Sequence, residues 1–192
     1  KDFDRDPLTA LEFLENRVAP QVSDADLLHV RYVGTDLTEF QKSFDRMQIV
    51  DGQSVPPGKR GFLFAKFFYE ERLKLRTARR LDKIQEALSM TGAKIQNDPA
   101  LQRHIKDNQA QTQEIVLQLD ELSSKTAVQK LQTALGAQET DLTALLIQFF
   151  AMNDSNFAAR YQVFYRDLAP LLELYRVRVG DTLTIKGFSK SG

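Results

Sequence analysis

Before Lys66 short helical runs of apolar positions are mixed with alternating ones; after it they recur three and four residues apart throughout a long stretch. That change of period divides the chain. Near its start, Asp6 is placed to cap a helix with Pro7 in the first turn, and Leu8, Leu11, Leu14 and Val18 recur at helical spacing until Pro20. "DLLHVRYVG" then sets Leu28, Val30 and Tyr32 against His29 and Arg31, the period of a half-buried strand, ended by Gly34. Thr35 or Asp36 is the expected cap of a brief helix through Phe40 and Phe44. "MQIVDG" reads as a second strand closed by a turn at Asp51 and Gly52, "SVPPGKRG" as a loop, and "FLFA" as a further short strand. The first 65 residues thus predict a small α+β half-domain.

The rest predicts helices. "KFFYEERLKLRTARRLDKIQEALSMTG" carries Phe68, Leu73, Leu81, Ile84 and Leu88 in one long helix, with Gly92 as its stop. Asn97 or Asp98 before Pro99 restarts a second helix through Leu101, Ile105, Thr112, Ile115 and Leu119. Ser123 or Ser124 is the expected cap of a third, ending near Gly136. "ETDLTALLIQFFAM" gives a fourth, apolar over much of its circumference. A fifth follows Asp154 or Ser155 with Phe157, Tyr161, Phe164, Tyr165 and Leu168 on its apolar side, and Pro170 is expected to kink or end it. Short connections imply antiparallel neighbours. The strand "DTLTIK" then returns. The simplest architecture is α+β and predominantly α. A β-containing base, residues 1–66 plus 176–192, is interrupted by a helical bundle or hairpin insertion over 67–175, and the last strand pairs with strands of the first 65 residues.

Composition narrows the function. With 192 residues, 42% of them hydrophobic, the chain can bury a good core. Its 26 Lys and Arg balance 26 Asp and Glu, so no long-range field draws it to nucleic acid or anionic lipid, although local patches remain possible. Cysteine is absent, which removes disulfides, thiolate metal sites and cysteine nucleophiles. No stretch reaches the roughly 18 to 20 apolar residues of a membrane span. Lys1 is neither a start Met nor part of a signal peptide, so the chain reads as a piece of something longer.

Catalytic signals are weak. His29 and His104 stand apart from any second ligand, no HExxH motif or phosphate-cradling loop occurs, and "GTDLTEF" holds no serine elbow. Neighbouring carboxylates such as Glu70 and Glu71, or Asp120 and Glu121, diverge on a helix. A non-catalytic domain with no metal and no cofactor is expected. The basic run Arg72, Lys74, Arg76, Arg79, Arg80 and Lys83 is interleaved with Glu70, Glu71, Asp82 and Glu86. It is either an anion-binding face or a charge-mixed solvated one laced with ion pairs. Lys59 and Arg60, in a Pro/Gly loop, are candidate contacts or simply a soluble turn. Phe67, Phe68, Phe149, Phe150, Phe157 and Tyr161 are either candidate contacts or core packing.

The residues flanking the helical stretch also carry a resemblance. "YVGTDLTEF", "IVDG", "PPGKRGFLFAKFFYEERLKL" and, far downstream, "LLELYRVRVGDTLTI" are similar to pieces of the extracytoplasmic domain of FtsX-like ABC transporter permeases. That group includes the lipoprotein-releasing permeases and the MacB exporters. Gly34 and Asp36 match its "GxD" piece, Asp51 and Gly52 its strand ending in Gly, Gly61 to Lys66 its Gly-led apolar piece, and Gly180, Asp181, Leu183 and Ile185 its "GD" strand. The family joins the last two pieces directly, whereas here residues 67–175 separate them. More β structure usually follows the "GD" strand, so the resemblance implies an incomplete base.

What the resemblance implies is a mechanotransmission module on the periplasmic face of the inner membrane. A cytoplasmic ATPase subunit would drive it through the membrane part of a dimeric permease. It would handle a lipoprotein, a lipid or a periplasmic protein, with Lys59, Arg60, Phe67, Phe68, Arg76, Arg80, Phe149 and Phe150 as candidate contacts. Nucleic acid is not an expected partner. The competing reading is a soluble helical scaffold that binds a protein through its bundle.

Overall fold

The computed structural model describes residues 33–183. They belong to two compact units divided between Met47 and Gln48. The first contributes one described helix, α1 (Leu37–Ser43). Asp36 starts it, accepting from the N–H groups of Thr38 and Glu39 at 2.8 and 3.2 Å, which satisfies donors that a first turn leaves open. Phe40 and Phe44 stack one turn apart, with ring centroids 4.4 Å from each other.

The second unit is helical. Its elements are α2 (Lys66–Phe68), which runs into a π-helical turn Tyr69–Leu73, then α3 (Arg76–Thr91), α4 (Pro99–Ala110), α5 (Gln113–Val116), α6 (Glu121–Leu135), α7 (Leu142–Phe150) and α8 (Phe157–Val163). A π-helical turn Phe164–Leu168 and a 3-10 turn Ala169–Leu171 continue α8. The sequence of α7 explains the arrangement. It is apolar nearly all round, so it must be surrounded, and α4, α5 and α6 pack on it while α3 packs on α4 and α8. Leu145, Leu146, Phe149 and Phe150 are at most 1% exposed, and Leu81, Ile84, Ile105, Ile115, Leu131, Phe157 and Phe164 close around them. Gly92 and Gly136 end α3 and α6 in the left-handed conformation, at φ 65° and 63°, as a glycine stop requires.

The α+β expectation is overturned: no strand occurs among the described residues. Met47 and Ile49 are half-buried between exposed Gln48 and Val50, and Phe62 and Phe64 between exposed Leu63 and Ala65. The alternation read from sequence is therefore real, but it reports one-sided burial of extended chain and not a ladder. Pro56 and Pro57, with Gly52, Gly58 and Gly61 close by, leave these segments too short and too interrupted to pair. Asp181 to Leu183 is likewise irregular. The predicted helix Pro7 to Val18, the strand Leu28 to Tyr32 and the remainder of "DTLTIK" lie outside the described residues.

Three boundaries also differ. The single long helix predicted from Lys66 to Gly92 breaks at Lys74, whose backbone is extended (φ −74°, ψ 146°). The second predicted helix divides after Ala110. The third begins on Asp120, not on a serine: the Ser123 N–H donates to the Asp120 carboxylate at 2.7 Å. Asp98 and Asp141 start α4 and α7 in the same manner. Pro170 sits in the 3-10 turn where the last helical run ends.

Candidate functional site

The break in the long helix builds the candidate site. "LKL" (73–75) has period two, and an extended residue between the two leucines lets both bury, at 1% and 7% exposure. The gap in helical hydrogen bonding is filled by the returning chain. Leu75 N–H donates to Leu174 C=O at 2.7 Å and Arg176 N–H to Leu73 C=O at 2.9 Å, so Lys74 and Tyr175 form an isolated antiparallel bridge. The helical elements from α3 onward therefore start and finish side by side, at a neck of two extended segments joined by one bridge.

Lys74 is the centre of a polar network on that neck. Its ammonium lies 2.7 Å from Asp82 Oδ2 on α3 and 3.1 Å from Glu70 Oε2 on the π-helical turn. From α8 and its continuation, Tyr165 donates to Asp82 Oδ1 at 2.5 Å and Tyr161 to the same oxygen at 3.0 Å. Tyr175 donates to Glu70 at 3.0 Å. The ammonium also sits 5.6 and 5.5 Å from the ring centres of Tyr165 and Tyr175, within cation–π range. Tyr69 stacks on Tyr175 at 4.6 Å and donates to Val177 C=O at 2.8 Å. A shallow, open groove lined by Lys74, Asp82, Tyr161, Gln162, Tyr165 and Arg166 exposes one side of the network.

Its charge states follow from these contacts. Burial works against the Lys74 ammonium, but its hydrogen bonds to Asp82 and Glu70, with the Asp82 charge, outweigh burial and hold its pKa above the ordinary lysine value. Burial, and then the adjoining Asp82 carboxylate, push Tyr161 up to about 12 and raise Tyr165 as well. Burial and the Glu70 hydrogen bond raise Tyr175. Near neutral pH the lysine is thus charged and the phenols neutral. What the arrangement does is tie the entering segment, the leaving segment, α3 and α8 into one network around one ammonium.

The start of α3 is secured from elsewhere in the chain. Leu75 at its N-cap has no side-chain acceptor, and Glu114 of α5 takes that place. Its carboxylate accepts from the N–H groups of Arg76 and Thr77, each at 3.3 Å, from the Thr77 hydroxyl at 3.2 Å and from Arg76 Nε at 3.3 Å. Asp154 likewise accepts from Ile95 and Gln96 N–H at 2.7 and 3.1 Å. At the C-terminal end of α7, Arg160 Nη1 donates to the carbonyls of Gln148, Phe149 and Ala151 at 2.8 to 2.9 Å.

The candidates read from sequence scatter. Phe149 and Phe150 belong to the core, 0% and 1% exposed, and present no contact surface; this corrects their place among the contact candidates. Phe157 is core as well. Arg76 meets Glu114, and Arg80 donates to Asn108 Oδ1 and Gln111 Oε1 at 3.2 and 2.8 Å. Lys83 pairs with Glu71 at 2.8 Å. Within the basic run these cations are occupied by acceptors, several of them on other elements. Lys59, Arg60 and Phe67 are exposed, and Phe68 is half-buried, its ring stacked on Phe64 at 5.6 Å.

Of the motif residues, Asp36 is a helix cap and Gly34 is exposed. At Gly61, a Cβ would stand 2.5 Å from Val55 Cγ2. Gly52 lies against Val179, where a Cβ would come within 2.9 Å of its methyl, so the "IVDG" and "VGD" pieces meet where the Val179 side chain packs on the Gly52 backbone. Gly180 turns at φ 97° and Asp181 accepts from Arg178 N–H at 2.7 Å, a closed turn. Sequence reasoning named Lys74 within the basic run, Tyr161 as a contact-or-core candidate and Tyr165 only as a helix position, and it missed the network. The available signal was a pair of tyrosines four residues apart, polar ends on an otherwise apolar helix face. Comparison of the chain with family models, with curated proteins and with solved structures yields no match, and the functional reading is built from these residues.

Proposed function

We propose that the chain is the extracytoplasmic domain of an ABC transporter permease, in which movement of membrane helices is carried into a helical module that handles a substrate or partner outside the inner membrane. The observation that supports this reading is the neck. A module whose two ends lie side by side and are tied through Lys74 to both α3 and α8 responds to displacement of either strand as one body. Such a lever needs no catalytic group of its own, since a separate cytoplasmic subunit hydrolyses ATP. The motif pieces at Gly52 and at Gly180–Asp181, which meet where Val179 lies against Gly52, precede and follow the neck along the chain, the order this reading calls for.

The test is the hydropathy of the reading frame on both sides of this chain. One apolar span of roughly 20 residues upstream and three downstream supports the permease. Polar flanks on both sides overturn it and leave a helical scaffold. In the intact permease, Lys74→Ala should uncouple the module, lowering transport while the partner's ATP hydrolysis continues.

A further inference from the structure

We propose that the segment from Lys59 to Phe68 docks on an anionic lipid surface. The chain as a whole carries no net charge, but the stretch from Gly52 to Tyr69 contains three cations and no acidic residue. Lys59, Arg60 and Lys66 are all exposed, and among the described residues none has an ion-pair partner. The contrast with Lys74, Arg76 and Lys83, all held by carboxylates, is direct. A Pro-Gly turn presents the first two: Lys59 N–H donates to Pro56 C=O at 3.1 Å, with Gly58 at φ 73°.

Beside these charges is apolar surface. Phe67 is 79% exposed and Leu63 36%, while Phe64 and Phe68 stack behind them. Exposed aromatic and aliphatic side chains flanked by cations match the boundary between acyl chains and anionic headgroups, where the rings enter and the charges stay at the phosphates. A soluble acidic partner would satisfy the charges but gives no reason for Phe67 to stand in water. The proposal does not depend on the permease reading, because a peripheral protein with this segment would bind equally well.

The full chain is mixed with vesicles of phosphatidylglycerol and phosphatidylcholine, or of phosphatidylcholine alone, and sedimented at rising salt. Retention by the anionic vesicles only, weakening with salt, is expected. Replacing the three cations together (K59Q, R60Q, K66Q) should lower partitioning roughly a hundredfold, at about fivefold per charge. Phe67→Ser should lower it about tenfold. Removing three exposed lysines elsewhere (K42Q, K94Q, K106Q) should leave it unchanged. All these side chains are exposed, so circular dichroism should report an intact fold for every variant.

No retention, equal retention by both vesicle types, or undiminished binding of the triple variant overturns the proposal. So does a lipid-free oligomer that Phe67→Ser dissociates, since the patch would then join copies of the chain. Vesicle binding together with polar flanks in the reading frame would sink the permease alone.

Discussion

Replacing Glu114 by alanine tests whether the fold depends on caps supplied across the chain. The side chain is 16% exposed and holds the first N–H groups of α3 together with the hydroxyl of Thr77, a residue with no exposure. Loss of an N-terminal cap costs about 1 kcal/mol. Loss of a carboxylate at the positive end of the helix adds about 0.5 kcal/mol. Leaving the Thr77 hydroxyl buried without its acceptor adds ~1–2 kcal/mol. The sum is about 3 kcal/mol, equivalent to a fall in melting temperature of roughly 9 °C for a unit of this size. Glu114→Gln keeps an acceptor oxygen and should lose about 1 kcal/mol. The assay is urea unfolding of the full chain followed by far-ultraviolet circular dichroism, read as a lower midpoint at unchanged slope. Glu121→Ala is the reference: that residue pairs with Lys125 but is 86% exposed, so no measurable change is expected. A loss below about 1 kcal/mol for Glu114→Ala would refute the reasoning, since the donors of α3 would then be served by solvent.

Three further outcomes are expected. Leu131→Ala, at a position with no exposure facing α7, should cost about 3 kcal/mol in the same unfolding assay, whereas Leu122→Ala, at 75% exposure, should cost under ~0.5 kcal/mol. Lys74 and Tyr175 are a non-hydrogen-bonded antiparallel pair, whose Cα atoms stand about 4.5 Å apart, so Lys74→Cys with Tyr175→Cys should oxidise to a disulfide in a chain that has no other cysteine. A pair that stays reduced under oxidant, read by gel mobility, would contradict the neck. In an alkaline titration followed by ultraviolet difference absorbance, Tyr161 should ionise near pH 12, with Tyr165 and Tyr175 also later than in the urea-unfolded chain. Because the folded state holds those phenolic protons, and the Lys74 proton, more tightly than the unfolded state, stability should be fully present below about pH 10 and fall as pH rises above it.

Local chemistry was legible in the sequence and tertiary chemistry was not. Asp36, Asp98 with Pro99, Gly92 and Gly136 act where they were expected to, because a cap needs only its own neighbours. The burial of α7 was legible only in part: a helix apolar over much of its circumference has to be largely enclosed, yet Phe149 and Phe150 stood among the contact candidates. The strands predicted within the described residues failed because alternation fixes which side of an extended chain is buried, not whether a second chain lies alongside. The break at Lys74 was hidden because nothing between Arg72 and Arg76 forbids helix. Only the carbonyl of Leu174 and the N–H of Arg176, about a hundred residues away, make the extended form preferable. Glu114, Asp154 and Arg160 share that difficulty, since a single sequence does not say which helix end a distant charge will find.

The neck also bears on how such a module enters and leaves other chains. Inserting a flexible segment into a host normally exacts a loop-closure entropy that grows with the logarithm of its length. Here the backbone bonds between Leu73 and Arg176 and between Leu75 and Leu174 bring the ends together within the module itself. A host therefore needs only a turn wide enough for two adjacent strands, whatever the size of what lies beyond it. Residues 73–176 should accordingly survive transplantation into an unrelated β-turn with little cost to that host, and lengthening the loop between α6 and α7 should leave the host end undisturbed.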